Sequence, residues 1–446
     1  MRQVNSKLTA FVLSAAILPQ IVLAQDWPQW RGPNSNGVAV GDAPLTWSDT
    51  ERVAWKANVP GRGFSSPVIW GDKVFLTTAV PTSTAMAATT PHVPVGPAGP
   101  HWPGGSRFGP PPPTEHKFMV MAFDRKSGKL LWEKVAVTAT PHEGCHGVYG
   151  SFASNSPVTD GKHVYAFFGS RGVYCYTLNG KPVWQKDFNI QMKMPSSFGE
   201  GTSPCLEGNK LLLLFDHQGG ESFLAALDKA NGKELWRASR PRDGNWSTPY
   251  VVTVNGKKQV VISATKKCVA YDLETGKPVW EVGGLGSLTV PVPVAADGMI
   301  FLMSGWQNQK LLAVKLGRAG DLTGTDAVVW TAERGLSFTP SPVLHDGKLY
   351  LVTDTGRVTC FDAKTGKAFY QQQRLPKPYN FKASPVGANG KLYLATEEGD
   401  VLVLKMGEKF EILATNTLKD QVFIASPAIT GGEIFLRSQN TLFCIR

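Results

Sequence analysis

One short pattern returns along most of the chain, and its spacing limits the fold more than any other property. Ser or Thr precedes Pro, an apolar pair follows, and a Gly, Asp or Asn turn leads into a second apolar run. It reads SPVIWGDKVFL at Pro67, SPVTDGKHVYAFF at Pro157, SPCLEGNKLLLL at Pro204 and TPYVVTVNGKKQVVI at Pro249. It continues as VPVAADGMIFL at Pro293, SPVLHDGKLYLV at Pro342, SPVGANGKLYLA at Pro385 and SPAITGGEIFL at Pro427. The intervals are 90, 47, 45, 44, 49, 43 and 42 residues. Short Val/Ile/Tyr/Phe runs between turn residues read as strands, and helical periodicity is nearly absent. A period in the forties built from short strands predicts an all-β fold: a propeller of eight blades, each a four-stranded antiparallel sheet.

Each part of the marker has a physical reason. Pro can open a strand because its missing N–H need not be paired there. Asp-Gly and Asn-Gly suit tight turns that need positive φ. A second pattern closes most units, as in AFDRKSGKLLW (122–132), CYTLNGKPVW (175–184), ALDKANGKELW (226–236), AYDLETGKPVW (270–280) and CFDAKTGKAFY (360–370). A large aromatic at one place in successive blades packs between neighbouring sheets. Trp132, Trp184, Trp236, Trp280, Trp330 and Tyr370 are therefore read as structural. The seventh unit, LKMGEKFEILA (404–414), lacks both the Asp and the Trp.

The eighth unit ends at Arg446 one strand short, and ERVAWKANV (51–59), with Trp55 in the aromatic place, looks like that strand. Pairing it beside 441–445 closes the ring and removes two exposed edges. Residues 25–50 are then a leader packed on the propeller, and its Trp27, Trp30 and Trp47 are expected across the propeller face or against the last blades. Before it, residues 1–24 show Arg2 and Lys7, an apolar run from Leu8 to Leu18 and a small-residue ending, the order of a secretion signal cleaved near Ala24. The remaining chain is expected to be exported, periplasmic or extracellular, soluble, without a transmembrane span, and monomeric. Net charge is +11 but the basic residues are scattered, which argues against nucleic acid as a partner. Residues 81–116 hold ten prolines, fall between the second and third strands of the first blade, and are expected to be a disordered or polyproline-like insertion.

The A-x-D-x-x-T-G-K-x-x-W unit resembles the tryptophan-docking repeat of the pyrroloquinoline quinone (PQQ) propeller family, most clearly at 122–132, 226–236, 270–280 and 360–370. The opening DWPQWRGPNSNG (26–37) resembles the start of quinoprotein alcohol dehydrogenases. The resemblance implies one of two functional classes. Dehydrogenases of the family hold PQQ, usually with Ca²⁺, in the central funnel and oxidise an alcohol or sugar. A non-enzymatic class includes the propeller lipoprotein of outer-membrane β-barrel assembly, which binds protein partners. The adjacent Cys pair common in the dehydrogenases is missing, no C-x-x-C-H haem motif is present, and no calcium set matches a motif position. A binding or assembly module acting through the channel mouth on a protein, small-molecule or sugar ligand is therefore preferred. A PQQ- and Ca²⁺-dependent dehydrogenase is the alternative; no catalytic residue and no metal ligand is assigned.

Propeller ligands bind at one end of the channel, on the loops that precede each marker Pro. PHEGCHGVYGSFASNSP (141–157) offers His142, Glu143, Cys145 and His146; SSFGEGTSP (196–204) offers Glu200; SRPRDGNWSTP (239–249) offers Arg240, Arg242, Asp243 and Trp246. His142, His146, Glu200, Arg242, Asp243 and Trp246 are the candidate ligand contacts. Imidazole and thiolate suit a transition metal, but a single local cluster lacks a fourth ligand and reads more simply as loop. Glu200 and Asp243 together could hold a cation or act as acid and base, and Trp246 could floor a planar ring or a sugar. Cys175 and Cys360 hold the same place in two blades and are read as buried thiols rather than a disulfide.

Overall fold

The structure, a computed structural model, describes residues 26–83, 112–147 and 149–446. The signal-like segment and most of the proline-rich insertion lie outside the described residues. The first blade fixes the ends of that insertion more narrowly than the sequence did: Pro81 pairs opposite His116, and the Thr82 N–H donates to the Glu115 carbonyl. Those flanking residues belong to the ladder of the blade rather than to the insertion.

Among the described residues the strands form eight sheets and no α-helix, each built on an antiparallel blade of four strands that, in all but the last, run in chain order from the inside outward; two blades carry a short parallel fifth strand. Blade 1, for example, runs Val68–Trp70, Lys73–Pro81, His116–Asp124, Leu130–Ala139. Blade 8 takes Ala428–Thr430, Glu433–Arg437 and Thr441–Ile445 from the C-terminus and Val53–Asn58 from the start, with Val53 opposite Ile445 and Asn58 opposite Thr441. This closes the ring. Its closing seam is rich in arginine: Arg125 of blade 1 and Arg446 both bind the Glu433 carboxylate, at 2.7 and 2.6 Å. Buried Arg437 donates across to the Ser65 and Thr77 carbonyls of the first blade's edge.

The marker serines have a job that spacing alone did not reveal. The Ser66 N–H donates to the Ser156 hydroxyl, Ser156 to Ser203, Ser203 to Thr248, Val292 to Ser341, Ser341 to Ser384, Ser384 to Ser426, and Ser426 back to Ser66, all within 2.8–3.1 Å. A girdle of hydroxyls thus satisfies the backbone at the start of the inner strands, where Pro leaves the ladder one donor short. It has a gap between blades 4 and 5, where Val292 replaces the hydroxyl residue. There Ser247 instead donates to the Pro291 carbonyl.

The outer-strand aromatics join neighbouring blades. Nε1 of Trp55, Trp132, Trp184, Trp236 and Trp330 donates to the carbonyls of Arg125, Leu178, Lys229, Leu273 and Ala363, each on the turn of the next blade. The turn glycine lies under the indole: a Cβ at Gly232 would stand 2.6 Å from Trp184, at a φ of +73°. Opposite each aromatic within its own sheet stands a small residue, Cys444, Ala122, Cys175, Ala226, Ala270, Ala313 or Cys360. Cys175, Cys360 and Cys444 are therefore spacers under a ring, and all six cysteines are free thiols.

Three seams depart from the rule: Tyr370 of blade 6 meets Phe410 of blade 7 edge-on at 5.7 Å, and extra chain covers the other two. Trp280 donates to Gln259 of its own blade, and Gly320–Asp321 from blade 5 adds a parallel fifth strand beside it. In blade 7 the place of the Trp is taken by Ala414, opposite Val403. The leader supplies the missing ring: Trp47 stacks on Tyr393 at 6.5 Å, and its backbone N–H donates to the Asn416 side-chain carbonyl.

Candidate functional site

The central channel is occupied by the chain itself, from both ends. At the end that carries the turns between the first and second strands, Trp27 bridges Ile69 of blade 1, and the Pro28 carbonyl accepts from Thr159 of blade 2. Trp30 packs against the blade 4–5 core and donates to Ser426 of blade 8. Arg31, 3% exposed, donates to the Pro385 and Pro342 carbonyls at 2.8 and 2.9 Å. Val38–Ala39 then lies parallel to the inner strand of blade 7. Touching blades on every side, the leader crosses the axis. Two tryptophans and an arginine appear so early because they fill the channel.

At the opposite end, the loop from blade 1 to blade 2 folds over the mouth. The Arg62 guanidinium, from the loop entering blade 1, donates to the Gly147 carbonyl at 2.6 Å, and the His146 N–H to the Phe198 carbonyl. A row of ring contacts follows. Trp246 meets Phe198 edge-on at 6.0 Å, Phe198 stacks on His146 at 5.6 Å, and His146 stacks on Tyr149 at 4.5 Å. The Lys382 ammonium lies 4.4 Å from the Tyr149 ring centre. Trp246 and Lys382 each stand two residues before a marker Ser or Thr, in blades 4 and 7, so the row spans the opening.

Beside this cap, His142, Glu143, Glu200 and Arg171 line a cavity of about 30 Å³, room for water-sized groups. Glu200 accepts from the Ser170 N–H at 2.6 Å and the Ser170 hydroxyl at 2.5 Å. A Cβ at Gly169 would sit 1.6 Å from its carboxylate, so only glycine fits there. Burial pushes the Glu200 carboxyl up to about 7, against the Ser170 bonds and with help from Glu143. Burial likewise raises Glu143 to about 7, although its carboxylate accepts from the Met194 N–H. Arg171 can only donate to His142 Nδ1, at 3.2 Å, so His142 Nε2 carries the proton and donates to the Met192 carbonyl at 2.7 Å. Burial, and then the Arg171 charge, hold this imidazole below its ordinary range. Neutral His142 therefore stands 3.8 Å from Glu200.

The sequence candidates thus divide. His142 and Glu200 meet; His146 and Trp246 belong to the cap. Asp243 is half-buried and its carboxyl, raised by burial, faces Lys266, while Arg242 is exposed. The pairing of Glu200 with Asp243 that the loops suggested is not formed, because Glu200 turns inward to Ser170. Arg240 is no loop residue either: it ends the outer strand of blade 3 in a buried two-pronged pair with Asp216, at 2.7 and 2.8 Å. His142 and His146 point to different partners, and among the described residues no group of three His, Cys, Asp or Glu could hold a metal ion. Sequence reasoning missed Tyr149, Asp354, Lys382 and Glu397, which meet only once blades 2, 6 and 7 are set around one axis.

A family model described as outer membrane protein assembly factor BamB matches residues 116–369 and 315–408. The BamB of Yersinia pestis is 23% identical over 298 residues, 62% of this chain and 66% of its own length, so a little under two thirds of that relative is spanned. Among solved structures, BamB from Moraxella catarrhalis superposes with a TM-score of 0.52 at 15% identity, covering 74% of this chain and 91% of the other. A quinohemoprotein alcohol dehydrogenase from Comamonas testosteroni gives 0.63 at 11% identity, covering 94% and 80%. At these identities the superpositions speak for the fold alone.

Proposed function

The chain belongs to the PQQ-like repeat β-propeller family whose model bears the BamB description, and from that membership we propose that it is a protein-binding module of outer-membrane protein assembly. The observation that carries this reading is the channel itself. Its own leader and its own cap fill the space where dehydrogenases of the fold class hold a cofactor, leaving loops and rims to do the binding.

The residues present do not fit PQQ. The Arg31 guanidinium that could meet a carboxylate is bound to two main-chain carbonyls, and Trp246 is turned against Phe198, its Nε1 donating to the Gly199 carbonyl. Support for a protein partner comes from the cap-side rim, where Trp306 is 45% exposed beside Phe338, at 5.3 Å. The next two residues, Gln307 and Asn308, hold positive φ of 37° and 54°. An exposed Trp on strained backbone is the kind of group that dominates protein interfaces. Export to the periplasm after cleavage near Ala24 is part of this proposal.

The test is binding of the purified protein to the purified β-barrel assembly complex of its own organism. Saturable binding is expected, and Trp306→Ala should weaken it about tenfold or more. No binding to that complex, with dye reduction by alcohols or sugars once PQQ and Ca²⁺ are added, would reverse the reading.

A further inference from the structure

Under the cap lies a buried cluster of charged side chains. Asp354 follows the second strand of blade 6, Lys382 precedes the inner strand of blade 7, and Glu397 follows the second strand of blade 7. The Lys382 ammonium binds Asp354 at 2.7 Å, and Asp354 also accepts from the Phe338 and Thr339 N–H groups at 2.8 and 3.0 Å. Glu397 is different. Its side chain is 2% exposed, and neither carboxylate oxygen has a hydrogen-bond partner. The nearest cation, Lys382, stands 3.9 Å away, and Glu398 turns its carboxylate to Asn380.

A buried carboxylate with both oxygens unmet is costly, and charge is unbalanced here: Asp354 and Glu397 face one ammonium, and the Glu398 charge adds to that on Glu397. Two free oxygens on one carboxylate match a group that donates twice in a plane, the geometry of guanidinium. The cluster is continuous with the exposed rim through Phe338, which touches both Trp306 and Asp354.

We propose that Glu397 is the receptor for an arginine side chain of a protein partner, reached when the Tyr149 cap lifts from Lys382. The proposal rests on the protein-binding reading above. Tyr149 now covers the Lys382 side of the cluster, as an incoming residue would. Burial, opposed by Lys382 and reinforced by Glu398 and Asp354, pushes the Glu397 carboxyl up to about 7. Burial opposes the Lys382 charge, but Asp354 and Glu397 outweigh it and keep the ammonium protonated. Arrival of a cation therefore draws a proton off Glu397 near neutrality.

The experiment is calorimetric titration of the whole protein with N-acetyl-arginine amide and with its uncharged isostere, N-acetyl-citrulline amide. At pH 8 arginine should be preferred about tenfold or more, and at pH 7 its binding should release about half a proton. Tyr149→Ala should tighten arginine binding. Glu397→Gln should abolish the preference while its thermal midpoint stays equal or rises, since a buried charge is removed. Equal binding of both amides, or none to either wild type or Tyr149→Ala, overturns the proposal. Titration of Glu397→Gln against the assembly complex separates the two readings. Undiminished binding there removes the arginine receptor and leaves the assembly module standing; no binding by wild type removes the module itself.

Discussion

A turn glycine and the indole of the preceding blade form the smallest working unit of this molecule. Gly232 is needed twice, for its positive φ and for the room it leaves Trp184, whereas Gly208 has a φ of +59° and nothing within 4 Å of its absent Cβ. Gly208→Ala should cost only left-handed strain, about 1–2 kcal/mol. Gly232→Ala should cost about 1–3 kcal/mol more through overpacking, read as a difference between urea unfolding curves. Glu200 offers a second residue-scale test. Folded, its carboxyl keeps a proton up to about 7, against an ordinary 4.5. Between those values the folded form binds more protons than the unfolded, so raising pH through this window weakens the fold. Glu200→Gln should therefore shrink the fall in melting temperature between pH 5 and 8. The sequence revealed the glycine and the Trp because they repeat. It did not reveal what Glu200 touches, because Ser170 and Gly169 lie in a single non-repeating turn.

Elements differ in how they are held, and the irregular ones were the hardest to read. Strand order follows from the marker spacing, and the closing strand could be placed because blade 8 lacked one. The Ser/Thr of the marker was visible yet unexplained, since its partner is always a neighbouring blade's backbone more than 40 residues away. Ser203→Ala should leave the buried Ser156 N–H without an acceptor and cost about 1–3 kcal/mol in chemical denaturation. The leader shows the same limit. Its tryptophans announced packing, but only the ring reveals that Trp47 stands in for the aromatic missing above Ala414. Trp47→Ala should cost about 3–5 kcal/mol, comparable to removing a core ring anywhere in the fold. Segments crossing the channel obey no period, so their destinations are set by three-dimensional closure rather than by pattern.

At the scale of the whole molecule, a ring has no natural edge, and this one depends on one early strand for that property. A chain beginning at residue 59 should expose Thr441–Ile445 and empty the channel, and light scattering should find it associated or aggregated. The same arrangement sets an order in time. Residues 53–58 leave the ribosome before nearly everything they will touch, because their partners are residues 441–445. At about 5–20 residues per second, that separation holds the strand single for roughly 20–80 s of synthesis. Residues 53–58 and the nearby tryptophans of the leader must therefore wait uncovered until the last strand of the ring is available to them.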